Sequence, residues 1–158
     1  MKIEVQSRWD GQPLAESAAT VVLGADADTR RLSLEWWAPM RRDPPPPFLG
    51  GPPGRYPELW KYEVVELFVA NADGHYTEVE FGPHGHHLGL AFEGERNCVD
   101  RALRLEPRIS RAGDRWTARC VLPPSCLPQG CDRFNAYAIF GAADSRTYLA
   151  YSGRNRSA

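Results

Sequence analysis

Apolar and polar residues alternate in short runs along the chain, and no apolar stripe persists at helical spacing. Val65, Leu67 and Val69 alternate with Glu66 and Phe68; Thr77, Val79 and Phe81 alternate with Glu78 and Glu80; Leu32, Leu34 and Trp36 share one face of another run. Gly, Pro, Asn and Asp punctuate these runs. The pattern predicts strands at 3–9, 20–23, 31–37, 62–70, 76–82, 87–93, 103–109, 115–122, 134–141 and 147–151. Many short strands without amphipathic helices or an internal repeat predict an all-β, antiparallel sandwich or barrel.

The middle of the chain allows a register to be written. Asp73-Gly74 lies in the connection Asn71-Ala72-Asp73-Gly74-His75, a hairpin signal. Pairing Ala70 with Tyr76 sets Val69 opposite Thr77, Leu67 opposite Val79 and Val65 opposite Phe81 as a core face. The other face then sets Phe68 beside Glu78 and Glu66 beside Glu80. A further turn, Pro83-His84-Gly85-His86, with Gly82 paired to His87, extends the core face through Leu88, Leu90 and Phe92. It leaves Gly89 and Ala91 next to the acids. On this reading Glu66, Tyr76, Glu78, Glu80 and His87 share a face with two nearly bare positions. Directly opposed like charges cost about 0.2–1 kcal/mol even in an exposed ladder. An arginine, a cation, a shared proton or a polyhydroxylated ligand would relieve them; a solvated face salt-bridged to arginines is the plainer alternative.

Composition narrows the class. At 158 residues, 42% hydrophobic and 25% charged, the chain has the make-up of one globular domain with a real core. Its first apolar run, Val21-Val22-Leu23, is far too short for a membrane span, and no apolar segment after Met1-Lys2-Ile3-Glu4-Val5 resembles a secretory signal. The expected location is the cytosol, with the nucleus open. Cys98, Cys120, Cys126 and Cys131 have neither zinc-knuckle nor redox-pair spacing, so they read as free or buried thiols. Net charge is −1, but residues 1–100 carry 9 basic and 16 acidic side chains, and residues 101–158 carry 10 and 4. The arginines (Arg104, Arg108, Arg115, Arg119) are spread singly along expected strands and lack interleaved aromatics, which argues against nucleic acid.

Half of the 14 prolines fall between Pro44 and Pro57. Proline fixes φ and cannot donate to a sheet ladder, so residues 39–58 are expected to form a loop, stiff at its start. Such a loop on a sandwich is a natural place for binding residues or a protein partner. The expected organisation is one domain over 1–151 and a polar tail over 152–158.

The run Leu59-Trp60-Lys61-Tyr62-Glu63-Val64-Val65-Glu66-Leu67-Phe68-Val69, followed by His75-Tyr76-Thr77-Glu78-Val79-Glu80-Phe81-Gly82-Pro83-His84-Gly85, resembles the central motif of family-nine-like carbohydrate-binding modules. With Arg42-Asp43-Pro44-Pro45 and Phe134-Asn135-Ala136-Tyr137-Ala138-Ile139, it resembles an uncharacterised protein family with a DOMON-like fold. The resemblance covers roughly residues 1–151. It implies a jelly-roll-like sandwich in which aromatic rings hold a sugar and polar groups read its hydroxyls. Trp60 then corresponds to the motif tryptophan and Glu63 and Glu66 to its acidic positions. Tyr76, Glu78 and Glu80 form the aromatic-x-Glu-x-Glu strand, and Asn135 and Tyr137 stand in a late strand. Such relatives continue beyond Tyr148-Leu149-Ala150-Tyr151. The calcium ligands of the secreted carbohydrate-binding modules do not map onto this sequence, so no calcium is assigned from the resemblance; no cofactor is expected.

The leading reading is a non-catalytic binder of a carbohydrate or other small polar ligand. Flat aromatic faces suit the C–H side of a sugar, and carboxylates accept hydrogen bonds from hydroxyls. Expected ligand-binding residues are Trp37, Arg41, Arg42, Asp43, Trp60, Glu63, Glu66, Tyr76, Glu78, Glu80, His87, Asn135 and Tyr137. Trp9, Trp36 and Trp116 are expected to pack. A glycoside-processing enzyme with paired glutamates is the alternative, though no motif specifies an acid and a nucleophile. A protein-interaction module is another. His84, His86 and His87 are weak metal candidates, because turn histidines need not converge. Heme lacks a clear His/Met pair, with only Met1 and Met40 available.

Overall fold

The computed structural model describes residues 1–26, 28–41, 54–141 and 146–152. They form two antiparallel sheets built from twelve strands: β1 (Lys2–Val5), β2 (Ser7–Arg8), β3 (Ala19–Asp26), β4 (Arg31–Pro39), β5 (Val64–Ala70), β6 (His75–Phe81), β7 (His87–Glu93), β8 (Cys98–Asp100), β9 (Arg108–Ala112), β10 (Arg115–Leu122), β11 (Arg133–Phe140) and β12 (Thr147–Ala150). The five-stranded sheet runs β1-β3-β4-β10-β9, and the seven-stranded sheet runs β2-β12-β11-β5-β6-β7-β8. Among the described residues two short 3-10 turns interrupt the strands, at Leu59–Lys61 and Pro124–Cys126. The chain is thus the all-β, two-sheet antiparallel structure that the alternation predicts.

Period-two patterning explains the core. Val21, Leu23, Leu34, Trp36, Trp116, Ala118 and Leu122 from one sheet meet Val65, Leu67, Val79, Phe81, Ala136 and Ala138 from the other, all buried. Trp36 and Trp116 pack there, as expected. The one buried hydroxyl on the inner face of β6, Thr77 Oγ1, donates to the Cys126 carbonyl at 2.7 Å.

Three expectations need correction. The run 3–9 is not one strand: β1 belongs to the five-stranded sheet and β2 to the seven-stranded one, so the chain changes sheets at Gln6. The strand expected at 103–109 lies at 108–112 instead, and Cys98–Asp100 forms an unforeseen edge strand.

The third correction concerns register. The β5–β6 pairing is the predicted one: Val65 with Phe81, Glu66 with Glu80, Phe68 with Glu78, Ala70 with Tyr76. The β6–β7 pairing differs by one residue, with Phe81 opposite His87, Glu80 opposite Leu88, Val79 opposite Gly89 and Glu78 opposite Leu90. A slip of one inverts every side chain of β7. Gly89 therefore faces the core. A Cβ there would lie 2.9 Å from Leu103 Cβ and 3.0 Å from Leu105 Cδ1, so glycine lets the 103–105 segment lie against β7. The space left by its missing side chain is filled from the inside and does not open beside the acids.

Candidate functional site

The outer face of the seven-stranded sheet can be written as rows. Tyr137, Glu66, Glu80 and Leu88 lie side by side across β11, β5, β6 and β7; Asn135, Phe68, Glu78 and Leu90 form the next row. Beyond them Tyr76 stacks on Phe92, centroids 4.3 Å apart, and Phe68 meets Tyr137 edge-on at 5.3 Å. On the other side Val64 and Ile139 join Leu59, Leu88 and Leu90 in a second, smaller apolar cluster, with Trp60 packed against it. The 3-10 turn Leu59–Lys61 thus covers the face, and the glutamates sit on a largely dry surface.

Their burial is deep. Glu80 is 0% and Glu66 5% exposed, while Glu78 is half-buried. One carboxylate oxygen from each lies within 4.8 Å of the other two. Neither oxygen of Glu80 has a hydrogen-bond partner of good geometry, although the Trp60 backbone N–H and the Glu78 carboxyl lie near enough to act on its titration. Burial, reinforced by Glu66 and Glu78, pushes the Glu80 carboxyl up to about 10. Burial also lifts Glu66 to about 8, with Glu78 adding to the effect and Arg146 opposing it. Glu78 rises to about 7, again through burial, against a hydrogen bond with Glu80. Taking a carboxyl that the unfolded chain would ionise and holding it neutral costs the fold on the order of a few kcal/mol.

Beside Glu66 the surface opens into a pocket of about 460 Å³ lined by Trp9, Trp60, Glu66, Phe68, Tyr137, Ile139, Arg146, Tyr148 and Leu149. Arg146 donates from Nη2 to the Trp60 carbonyl, which ties the 3-10 turn to the start of β12. Its guanidinium also lies 6.0 Å from the centroid of the Tyr148 ring. Asn135 Nδ2 donates to the Tyr137 hydroxyl at 2.8 Å and to the Ser152 carbonyl at 3.1 Å. Asn135 therefore orients the tyrosine, and the Tyr137 O–H is left to donate elsewhere.

Of the expected site residues, Trp60, Glu66, Tyr76, Glu78, Glu80, Asn135 and Tyr137 share this face. Four others do not. Trp37 projects from β4 of the other sheet and lines a different cavity of about 660 Å³ with Arg41 and Arg115. Arg41 lays its guanidinium over the Phe140 ring at 4.8 Å and donates its backbone N–H to Glu63 Oε1 at 3.3 Å. Glu63 has the inward parity of Val65 and holds the loop start rather than joining the acids. His87 pairs with Phe81 and so lies on the inner side of the sheet, a consequence of the β7 register. Arg42 and Asp43, with the proline-rich stretch, lie outside the described residues. His84 Nδ1 is 3.3 Å from Arg111 Nη1, and His86 packs edge-on to Tyr56. Among the described residues, the glutamates form the one group of three clustered ligand atoms.

Sequence reasoning missed Trp9, Phe68, Arg146 and Tyr148. Trp9 shares the odd parity of Ile3 and Val5, which assigns it to packing in an unbroken strand; the change of sheets at Gln6 carries it to the outer face, 45% exposed. Phe68 was legible, since it falls on the acid face in the predicted hairpin. Arg146 and Tyr148 needed the β11–β12 pairing, which sets Tyr148 beside Ile139. A larger cavity, about 1100 Å³, is lined by Glu35, Arg119, Asp100 and Arg108 among others and has no aromatic wall. Arg119 there pairs with Glu35, its neighbour across the β4–β10 ladder.

No family model matches the chain. Among curated proteins, UPF0462 protein C4orf33 of Homo sapiens is 39% identical over 151 residues, covering 95% of this chain and 74% of that protein. The Danio rerio homologue of C4orf33 is 36% identical over 150 residues, covering 94% and 74%. A crystal structure from Bacteroides uniformis, described as a "putative carbohydrate-binding protein", superposes with a TM-score of 0.68 at 15% identity, covering 100% of this chain and 78% of that one. At that identity the likeness is one of fold.

Proposed function

The chain belongs to the UPF0462 family, and we propose that it is a non-catalytic binding domain for a carbohydrate or similar small polar ligand, held in the pocket on the outer face of the seven-stranded sheet. The observation that carries this reading is the composition of that pocket. Trp9, Trp60, Phe68, Tyr137 and Tyr148 supply aromatic surface, while Glu66 and Arg146 supply an acceptor and a donor at its edge. That is the pairing a sugar ring requires: apolar faces for its C–H side, and hydrogen-bonding groups for its hydroxyls. A volume of about 460 Å³ suits one or two sugar units. The fold shared with the Bacteroides uniformis protein supports the same reading, as does the Trp60 to Glu80 motif that resembles DOMON-like and family-nine modules.

Glycoside hydrolysis fits less well. It needs two carboxyls flanking the scissile bond. Here Glu66 alone of the three lines the pocket, and Glu78 and Glu80 cluster with it outside the lining.

The test is a glycan array followed by calorimetry on wild type, Trp60→Ala and Tyr148→Ala. Tyr148 is 45% exposed, so its loss spares the fold. Both variants should bind at least tenfold more weakly, a loss of about 1.4 kcal/mol. Absence of any glycan binding by folded protein overturns the proposal, as does full affinity in both variants. Turnover of chromogenic glycosides that Glu78→Gln or Glu80→Gln abolishes would make the protein an enzyme instead.

A further inference from the structure

We propose that Glu66, Glu78 and Glu80 form a binding site for a divalent cation that prefers oxygen ligands, of the size of calcium or manganese(II). The first observation is geometric. One oxygen from each carboxylate lies within 4.8 Å of the other two. A cation with metal–oxygen bonds of about 2.3–2.6 Å holds ligands on opposite sides at about 4.6–5.2 Å and adjacent ones closer, so the three oxygens fall within one such coordination sphere with little movement. Bonds of about 2.0–2.2 Å, as for magnesium or zinc, hold ligands at most about 4.2–4.4 Å apart, so a cluster spanning up to 4.8 Å leaves most room for the longer-bonded ion. The donor set points the same way: three carboxylates and no imidazole or thiolate suit a hard cation.

The second observation is Glu80 itself. It is 0% exposed, and neither of its oxygens has a hydrogen-bond partner of good geometry. Glu66 faces it across the ladder and Glu78 precedes it on the same face of β6, so the three carboxylates share one patch of that face. A buried carboxyl with no hydrogen bond of good geometry is costly, and a cation bridging it to Glu66 and Glu78 would offset that cost. Arg146 does not fill that role. It acts on Glu66 but spends Nη2 on the Trp60 carbonyl, and among the described residues no ion pair joins a cationic side chain to Glu78 or Glu80. Glu78 is half-buried, which leaves a side by which an ion and its waters can enter. The site shares Glu66 with the sugar pocket but does not rest on the sugar reading, because Glu78 and Glu80 lie outside the pocket's lining.

The test uses full-length protein stripped with chelator, then titrated with calcium, manganese(II), magnesium or zinc chloride by calorimetry and thermal unfolding. Calcium or manganese should bind at one site with a sub-millimolar Kd and raise Tm, and magnesium should bind at least tenfold more weakly. Glu80→Gln should weaken binding at least tenfold, and so should Glu78→Gln, whose half-exposed position spares the fold. Tyr148→Ala, which strips a wall of the sugar pocket, should leave cation binding unchanged. The proposal is overturned if 10 mM of each cation gives neither heat nor a change in Tm. It is equally overturned if both glutamine variants, shown to be folded by near-ultraviolet circular dichroism, keep wild-type affinity. Zinc binding that His86→Ala and His87→Ala abolish would overturn it too, since the ion would then sit elsewhere.

Discussion

On the inner face of β5 and β6, Val65, Leu67, Val69, Val79 and Phe81 are buried among apolar neighbours, and the single hydroxyl, Thr77, has its hydrogen bond to Cys126. On the outer face the same strands bury Glu66 and Glu80 nearly as deeply, yet Glu80 has no partner of good geometry. Burial alone therefore does not separate a packing face from a binding face; satisfaction of polar groups does. The inner face lowers the free energy of the fold. The outer face raises it, by keeping three carboxyls away from water, and such a cost persists where something other than the fold uses the residues.

Three experiments can break or sharpen that contrast. The largest effect is expected from Leu67→Ala. Leu67 is fully buried between the sheets, so truncation should destabilise by about 2–5 kcal/mol in urea unfolding at pH 7. A loss under about 1 kcal/mol would mean that the inner face is not the packed core described. Gly89→Ala comes next. The new methyl would press on Leu103 and Leu105, and a cost of about 1–3 kcal/mol is expected from overpacking. A neutral outcome would support the other β7 register, in which residue 89 faces the acids.

The third experiment reverses the sign of the first two. In the unfolded chain the glutamates titrate near 4.5; folded, they are raised to about 7, 8 and 10. Between those limits the native state binds more protons than the unfolded one, so the trio's contribution to stability falls as pH rises from about 5 to 9. Glu80→Gln cannot ionise. In chelator-treated protein it should match wild type near pH 5 and exceed it at pH 9 by on the order of 1–3 kcal/mol. Burial lowers the pKa of His84, His86 and His87, which adds stability as pH rises near 6. The difference between variant and wild type is thus the quantity to follow. A difference constant between pH 5 and 9, measured by urea unfolding, would show that Glu80 titrates normally and is not buried as described.

Much of the site was legible in the β5–β6 hairpin. Asp73-Gly74 fixed the turn, the turn fixed the register, and the register put Glu66 beside Glu80 and Phe68 beside Glu78. The next hairpin was read one residue out. Its turn, Pro83 to His86, carries glycine at Gly85 but no two-residue signature, and Leu88 and Leu90 suit either face because both faces here are apolar. That slip also misplaced His87, whereas Trp37 was misplaced because alternation tells which residues share a face but not which sheet a strand joins.

The sequence by itself determined an all-β sandwich, the strands of its core and an acid-bearing hairpin, because period-two alternation and turn chemistry act over a few residues. Only the tertiary structure decided which residues gather around those acids. Trp9, Trp60, Arg146 and Tyr148 are separated by up to 139 positions and meet because β2 and β12 add to the sheet edge while the 3-10 turn folds over its face. The physical reason is that long-range pairing and sheet exchange depend on how two complete sheets bury their inner faces together, a condition no local pattern encodes.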